Sequence, residues 1–157
     1  KRRRLLCNRA TACSRRAKAN DNGLEVKPRI IELPKLHDGR GNLTVVENDI
    51  IPFAIKRVYY LYEVPFGIER ANHAHKELER FIIAFSGSFD VVLEDKNGEG
   101  GTWSLSGCHY GLYVPPMIWS TVTNFSSGAV CLVLASDNYD ESDYIRDRSM
   151  YANLESL

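Results

Sequence analysis

The chain has 157 residues, 44% of them hydrophobic and 25% charged, with 20 basic and 20 acidic side chains in balance. That length buries a real core in one domain, and a zero net charge singles out neither a nucleic acid nor a membrane surface as partner. The balance hides an asymmetry: residues 1–23 carry eight basic side chains and one acid, which leaves the rest of the chain at −7.

In chain order, residues 1–26 show no hydrophobic periodicity. Leu5-Leu6 falls far short of the apolar stretch of about 7–15 residues in a secretory signal. These residues are expected to be a basic leader, disordered or non-native, ahead of one domain over residues 27–157. Short apolar runs then follow at residues 29–33, 43–47, 53–62, 80–85 and 89–94. More come at 102–105, 111–114, 118–123 and 129–135. Val, Ile, Phe, Tyr and Thr dominate the runs, residue types that suit a pleated, half-buried surface. Gly- and Asn-containing turns separate them, at residues 38–42, 86–88, 96–101 and 124–128. Strands at roughly ten-residue spacing predict an all-β sandwich or barrel. Beyond Ala135 the chain turns acidic, and a loop with one short helical stretch is expected there.

No run approaches the ~18 apolar residues of a membrane-spanning helix, so no membrane partner is expected. Cys7, Cys13, Cys108 and Cys131 form no Cys-x-x-Cys pair, and Cys131 lies in an apolar run that suits a buried free thiol. A reducing, cytoplasmic setting is the expectation.

The chemistry concentrates between Gly67 and Gly87. His73 and His75, two apart on a strand, project from one face. If that face lines a barrel, both imidazoles enter one pocket, and Glu79 can return toward it from the next strand. Two histidines and a carboxylate can move protons or bind a divalent metal.

The spacing Gly67, His73, His75, Glu79, Gly87 closely resembles the first motif of the cupins. Gly111 to Asn124 is the counterpart of the second, with Ser120 where that motif has its histidine. The resemblance implies a small single-domain cupin, a double-stranded β-helix or jelly-roll barrel, with a short polar C-terminal segment. A complete cupin metal site takes the missing histidine as a ligand, so a metal-free site is expected, with no cofactor. The likeness is narrower still. Ile55–Tyr60, Asn72–Lys76, Gly111–Pro116 and Tyr139–Arg146 are together similar to the WxcM-like nucleotide-sugar 3,4-ketoisomerases.

That resemblance implies an isomerase shifting the keto group of a dTDP-4-keto-6-deoxyhexose from C4 to C3 through an enediol, for dideoxy amino sugar biosynthesis. His75 is then the base, His73 orients it or shuttles the proton, and Tyr62 or Tyr60, or a water they position, returns a proton to C4. Arg57, Arg70, Tyr60 and Lys76 are the candidate substrate contacts, the guanidinium forks matching phosphate oxygens. Lys76 reaches the pocket only if its strand bends. The resemblance also implies a homodimer that exchanges strands, with residues 53–62 and 29–33 as the places to look for the interface. Two alternatives stay open: a related sugar-nucleotide epimerase, and a non-catalytic sugar-nucleotide-binding cupin, to which Ser120 points.

Overall fold

The computed structural model describes residues 27–47 and 49–154. The expected leader lies outside the described residues. Twelve strands follow one another: β1 (Arg29–Glu32), β2 (Lys35–Asp38), β3 (Gly41–Thr44), β4 (Arg57–Leu61), β5 (Arg70–His75) and β6 (Arg80–Ser86), then β7 (Phe89–Glu94), β8 (Gly100–Leu105), β9 (Tyr110–Val114), β10 (Trp119–Thr123), β11 (Val130–Ala135) and β12 (Tyr144–Ile145). A single 3₁₀ turn at Glu141–Asp143 and the short helix α1 (Arg148–Ala152) make up the helical content of the described residues.

Two five-stranded antiparallel sheets face each other, in the orders β1-β9-β6-β11-β4 and β12-β5-β10-β7-β8. β2 and β3 form a separate hairpin. Alternation decides which side chains go inward. Phe89, Val91 and Leu93 of β7 are buried between the sheets, against Ile82, Ala84, Leu112, Val114, Cys131 and Val133 of the opposite sheet. Such burial supplies the main favourable term in folding.

β6 breaks the alternation because its sheet is covered on both faces. Phe81 and Ile83 pack on the outer side with Tyr113, Leu134, Leu33 and Ile51, while Ile82 and Ala84 face inward. Gly87 closes the β6–β7 turn at φ +64°, and a Cβ there would lie 2.9 Å from the Ala129 Cα. Only glycine meets both demands.

The acidic C-terminal stretch is not a loose end. Asp147 caps α1 by accepting from the Ser149 and Met150 amides. Tyr151 of α1 is buried with Ala74, Trp119 and Ile145 on the outer face of the second sheet, and its hydroxyl donates to the Met117 carbonyl at 2.8 Å. This docking draws residues 140–147 back across the end of the sandwich, where β12 pairs with β5.

Candidate active site

β5 carries both histidines, and its geometry is irregular where it meets β10. The register shifts between Ser120 and Thr121, and Ala71 and Asn72 adopt positive φ of 69° and 55°. Two successive non-glycine residues in this region cost energy, and a bulge of this kind re-aims the side chains after it. Thr121 Oγ1 donates to Asn72 Oδ1 at 2.8 Å and holds the bulge from the neighbouring strand. Beyond it, His73 is half-buried and His75 is 1% exposed. Their rings meet edge to face at 4.8 Å.

Each imidazole has one nitrogen committed. His73 Nδ1–H donates to the Ala71 carbonyl at 2.9 Å. His75 Nδ1–H donates to Asp143 Oδ2 at 2.9 Å. The other carboxylate oxygen, Asp143 Oδ1, accepts the Glu77 amide at 2.7 Å, so the carboxylate cannot turn. These partners assign the proton to Nδ1 in both rings and leave each Nε2 with a lone pair. Among the described residues the buried Nε2 of His75 has no hydrogen-bond partner. Tyr144, opposite His75 in the β5–β12 register, lies 4.3 Å from the His75 ring and 4.8 Å from that of His73.

Two arginines complete the interior. Arg80, at the head of β6, is 2% exposed. Its Nη1–H donates to Ser120 Oγ at 2.8 Å, and the Ser120 hydroxyl in turn donates to the His73 carbonyl at 3.2 Å. Arg57, on β4, lies 5.1 Å from the Tyr59 ring and 5.7 Å from that of Tyr139. Buried Nε and Nη2 atoms of both guanidinium groups lack hydrogen-bond partners among the described residues. Burial first, then the Arg80 charge, pushes His73 down to about 4. Burial, Arg80 and the neighbouring imidazole push His75 down further. Both rings are neutral at pH 7, as a proton acceptor must be.

A match to the WxcM-like, C-terminal family covers residues 26–156. The TDP-4-oxo-6-deoxy-α-D-glucose 3,4-oxoisomerase of Aneurinibacillus thermoaerophilus is 44% identical over 119 residues, 75% of this chain and 85% of that protein. The chain belongs to the WxcM-like family of sugar 3,4-ketoisomerases. Solved structures agree. A His-to-Asn variant of the 3,4-ketoisomerase QdtA from Thermoanaerobacterium thermosaccharolyticum, in complex with TDP-4-keto-6-deoxyglucose, is 37% identical with a TM-score of 0.79, over 83% of this chain and 94% of its own. The TDP-quinovose 3,4-ketoisomerase WlaRB of Campylobacter jejuni is 40% identical with a TM-score of 0.77, over 81% and 98%.

Within this ketoisomerase the sequence-predicted residues divide. His73, His75 and Arg57 come together. Tyr60 and Tyr62 do not: they are 59% and 57% exposed and pack on each other at 5.6 Å on the outside. Strand alternation sends Arg57, Tyr59 and Leu61 inward and Val58 and Tyr60 outward, so Tyr59 is the tyrosine of β4 that faces the interior. Arg70 precedes the bulge and is exposed. Lys76 does not bend into the pocket; its Nζ donates to the Ser142 carbonyl at 2.6 Å and ties down the C-terminal segment.

Glu79 also turns away, accepting from the Tyr113 hydroxyl at 2.7 Å on the outer side of the first sheet. The cupin metal set therefore does not fit. Its carboxylate points elsewhere, Ser120 replaces its third histidine, and no group of three or more His, Cys, Asp or Glu side chains suited to a metal ion occurs among the described residues.

Sequence reasoning missed Arg80, Asp143, Tyr59 and Tyr144. Arg80 had a signal, a charge opening an otherwise apolar strand. Asp143 and Tyr144 lay inside the Tyr139–Arg146 segment, but nothing in their spacing shows that it folds back onto β5. A groove of about 320 Å³ on the other face of the second sheet, lined by Asn72, Val92, Glu94, Trp119, Thr121 and Arg148, includes neither histidine.

Proposed function

We propose that this site moves the keto group of a TDP-linked 4-keto-6-deoxyhexose from C4 to C3 through an enediol, toward dideoxy amino sugars, with His75 as the base. The observation that carries this assignment is the buried, unpartnered Nε2 of His75, backed by Asp143 on the opposite ring nitrogen. A carboxylate so placed keeps the proton on Nδ1 and stabilises the imidazolium that forms during catalysis.

His75 Nε2 takes the proton from C3, which the neighbouring ketone acidifies. The C–H electron pair becomes the C3–C4 double bond, and the carbonyl pair moves onto O4. His73, whose Nδ1–H is held by Ala71, relays a proton between O3 and O4 through its Nε2. Tyr144, in ring contact with both histidines, takes the proton-donor role at C4 that the sequence offers to Tyr62, Tyr60 or a water they position. Arg57, steadied between two aromatic rings and with donors unpartnered, grips the diphosphate. The relatives named above are ketoisomerases, which favours this reading over an epimerase.

The test is an NMR time course in deuterated buffer with TDP-4-keto-6-deoxyglucose, comparing wild type with His75→Asn. A 3-keto product deuterated at C4, absent with the variant, is expected. Tight binding with neither exchange at C3 nor product would leave a sugar-nucleotide-binding protein.

A homodimer belongs to the same proposal. β1 and β4 are the two edges of one sheet, and β4 with its continuation exposes Val58, Tyr60 and Tyr62. Unpaired edges with apolar side chains favour strand pairing with a second copy. A cytoplasmic location is supported by two free thiols, exposed Cys108 and buried Cys131. None of the described helices is long and apolar enough to cross a membrane.

A further inference from the structure

We propose that Arg80 is a second catalytic residue, the fixed positive charge that meets O4 as the enediolate forms, and that Ser120 is the residue that positions it. The inference rests on the isomerase reading and adds to it the group that stabilises the intermediate.

A buried guanidinium normally recovers its lost hydration by filling its five donors with carboxylates or carbonyls. Arg80 does not. Among the described residues the Ser120 hydroxyl accepts from Nη1, while Nε and Nη2 have no partner. No ion pair to a carboxylate forms within the described residues. A cation left so poorly satisfied destabilises the fold, and such an arrangement is expected where a site needs donors already aimed at developing charge.

Its location agrees. Ser120 is paired with His73 across β10 and β5 and bonds both the Arg80 guanidinium and the His73 carbonyl. The guanidinium is thus pinned beside the strand that carries the base. Arg80 is also the strongest nearby charge acting on both imidazoles.

The chemistry balances with groups already present. When His75 removes the C3 proton, negative charge appears on O4, and Arg80 Nε–H and Nη2–H donate to it. When Tyr144 protonates C4, the C3–C4 π pair becomes the new C–H bond, and the O3–H electron pair closes the C3 carbonyl. The O3 proton passes through His73 to O4, the charge facing Arg80 disappears, and the proton held by His75 returns to the Tyr144 phenolate beside it. No oxidant or metal is consumed. Ser120, in the position of the cupin histidine, thereby anchors a cation where that motif provides a metal ligand.

The test is Arg80→Met with TDP-4-keto-6-deoxyglucose, following kcat, KM and thermal midpoint, with Arg80→Lys and Ser120→Ala beside it. The expected result is a fall in kcat of roughly 100- to 1000-fold, a KM changed less than about threefold, and an unchanged or raised midpoint. An apolar side chain removes an unpaired buried charge, which underlies that last expectation. Arg80→Lys should recover part of kcat. Ser120→Ala should lower kcat several-fold at constant KM, because the guanidinium loses its tether. Loss of folding or a lowered midpoint in Arg80→Met would make Arg80 structural and overturn the proposal. So would a raised KM with kcat intact, which would make it a diphosphate contact, or an unchanged kcat. Failure of the isomerase reading looks different: wild type itself would then show neither exchange nor product.

Discussion

Asp143 and His75, 68 residues apart in the chain, meet through a 2.9 Å hydrogen bond, and the far nitrogen of the imidazole has no partner among the described residues. Asp143 Oδ1 already accepts the Glu77 amide. In Asp143→Asn that bond retains the amide oxygen on the Glu77 side, so the amide nitrogen faces His75 and donates to Nδ1. The proton then moves to Nε2 and the base is lost. The variant is expected to fold and bind substrate normally while kcat falls by roughly 10²–10⁴. Steady-state kinetics beside a melting curve checks this, and a KM effect without a kcat effect would contradict it.

The outward tyrosines of β4 and the residue after it give the opposite expectation. Tyr62→Phe and Tyr60→Phe should leave kcat within about twofold, since neither hydroxyl reaches the histidines. Tyr59→Phe should lower activity. If the exposed face of β4 is the dimer contact, Tyr60→Glu should shift the protein toward monomer in sedimentation velocity.

Acid should destabilise the protein through its histidines. His73 is held from 6.5 down to about 4, and His75 is lowered as well. Between pH 6.5 and 4 the unfolded chain therefore binds protons that the folded chain refuses. Their contribution to stability is full above about pH 6.5 and is lost as pH falls through this window. Denaturant titrations at pH 7 and pH 5 should show the decline. Removing one imidazole in His75→Asn should flatten the slope by up to about 1.4 kcal/mol per pH unit.

Metal should prove irrelevant to turnover. With Glu79 bonded to Tyr113 on the outer side of the sheet, Glu79→Gln should keep activity within about threefold, and dialysis against a chelator should leave kcat unchanged. A chelator-sensitive enzyme restored by one divalent ion would refute this.

The turn at Gly87 tests the fold itself. Gly87→Ala places a methyl group against Ala129 at a positive φ and should cost about 1–3 kcal/mol, measurable by urea titration, with kcat per folded molecule unchanged.

The strand runs and their turns were legible because burial on a pleated surface is a local pattern. The runs at 80–85, 89–94 and 129–135 became β6, β7 and β11 with small changes at their ends. Elsewhere the local pattern misled. The run at 53–62 shortened to Arg57–Leu61, the run at 43–47 yielded to a hairpin strand at Gly41–Thr44, and β2 and β12 were not foreseen. β12 has two residues and exists because β5 offers an edge to pair with.

The all-β class, the His-x-His pair on one strand and, through the motifs, the ketoisomerase family can be read from residue order alone. These depend on spacing of two to eight residues, over which strand geometry is rigid. Which tyrosine of β4 faces inward, where Glu79 turns, and the arrival of Asp143 and Arg80 beside the histidines follow from packing across the whole sandwich. Each of those outcomes turns on strand register or on a partner tens of residues away. Displacing a strand by one residue moves every side chain to the opposite face, so register follows from packing of the whole sandwich rather than from any local run.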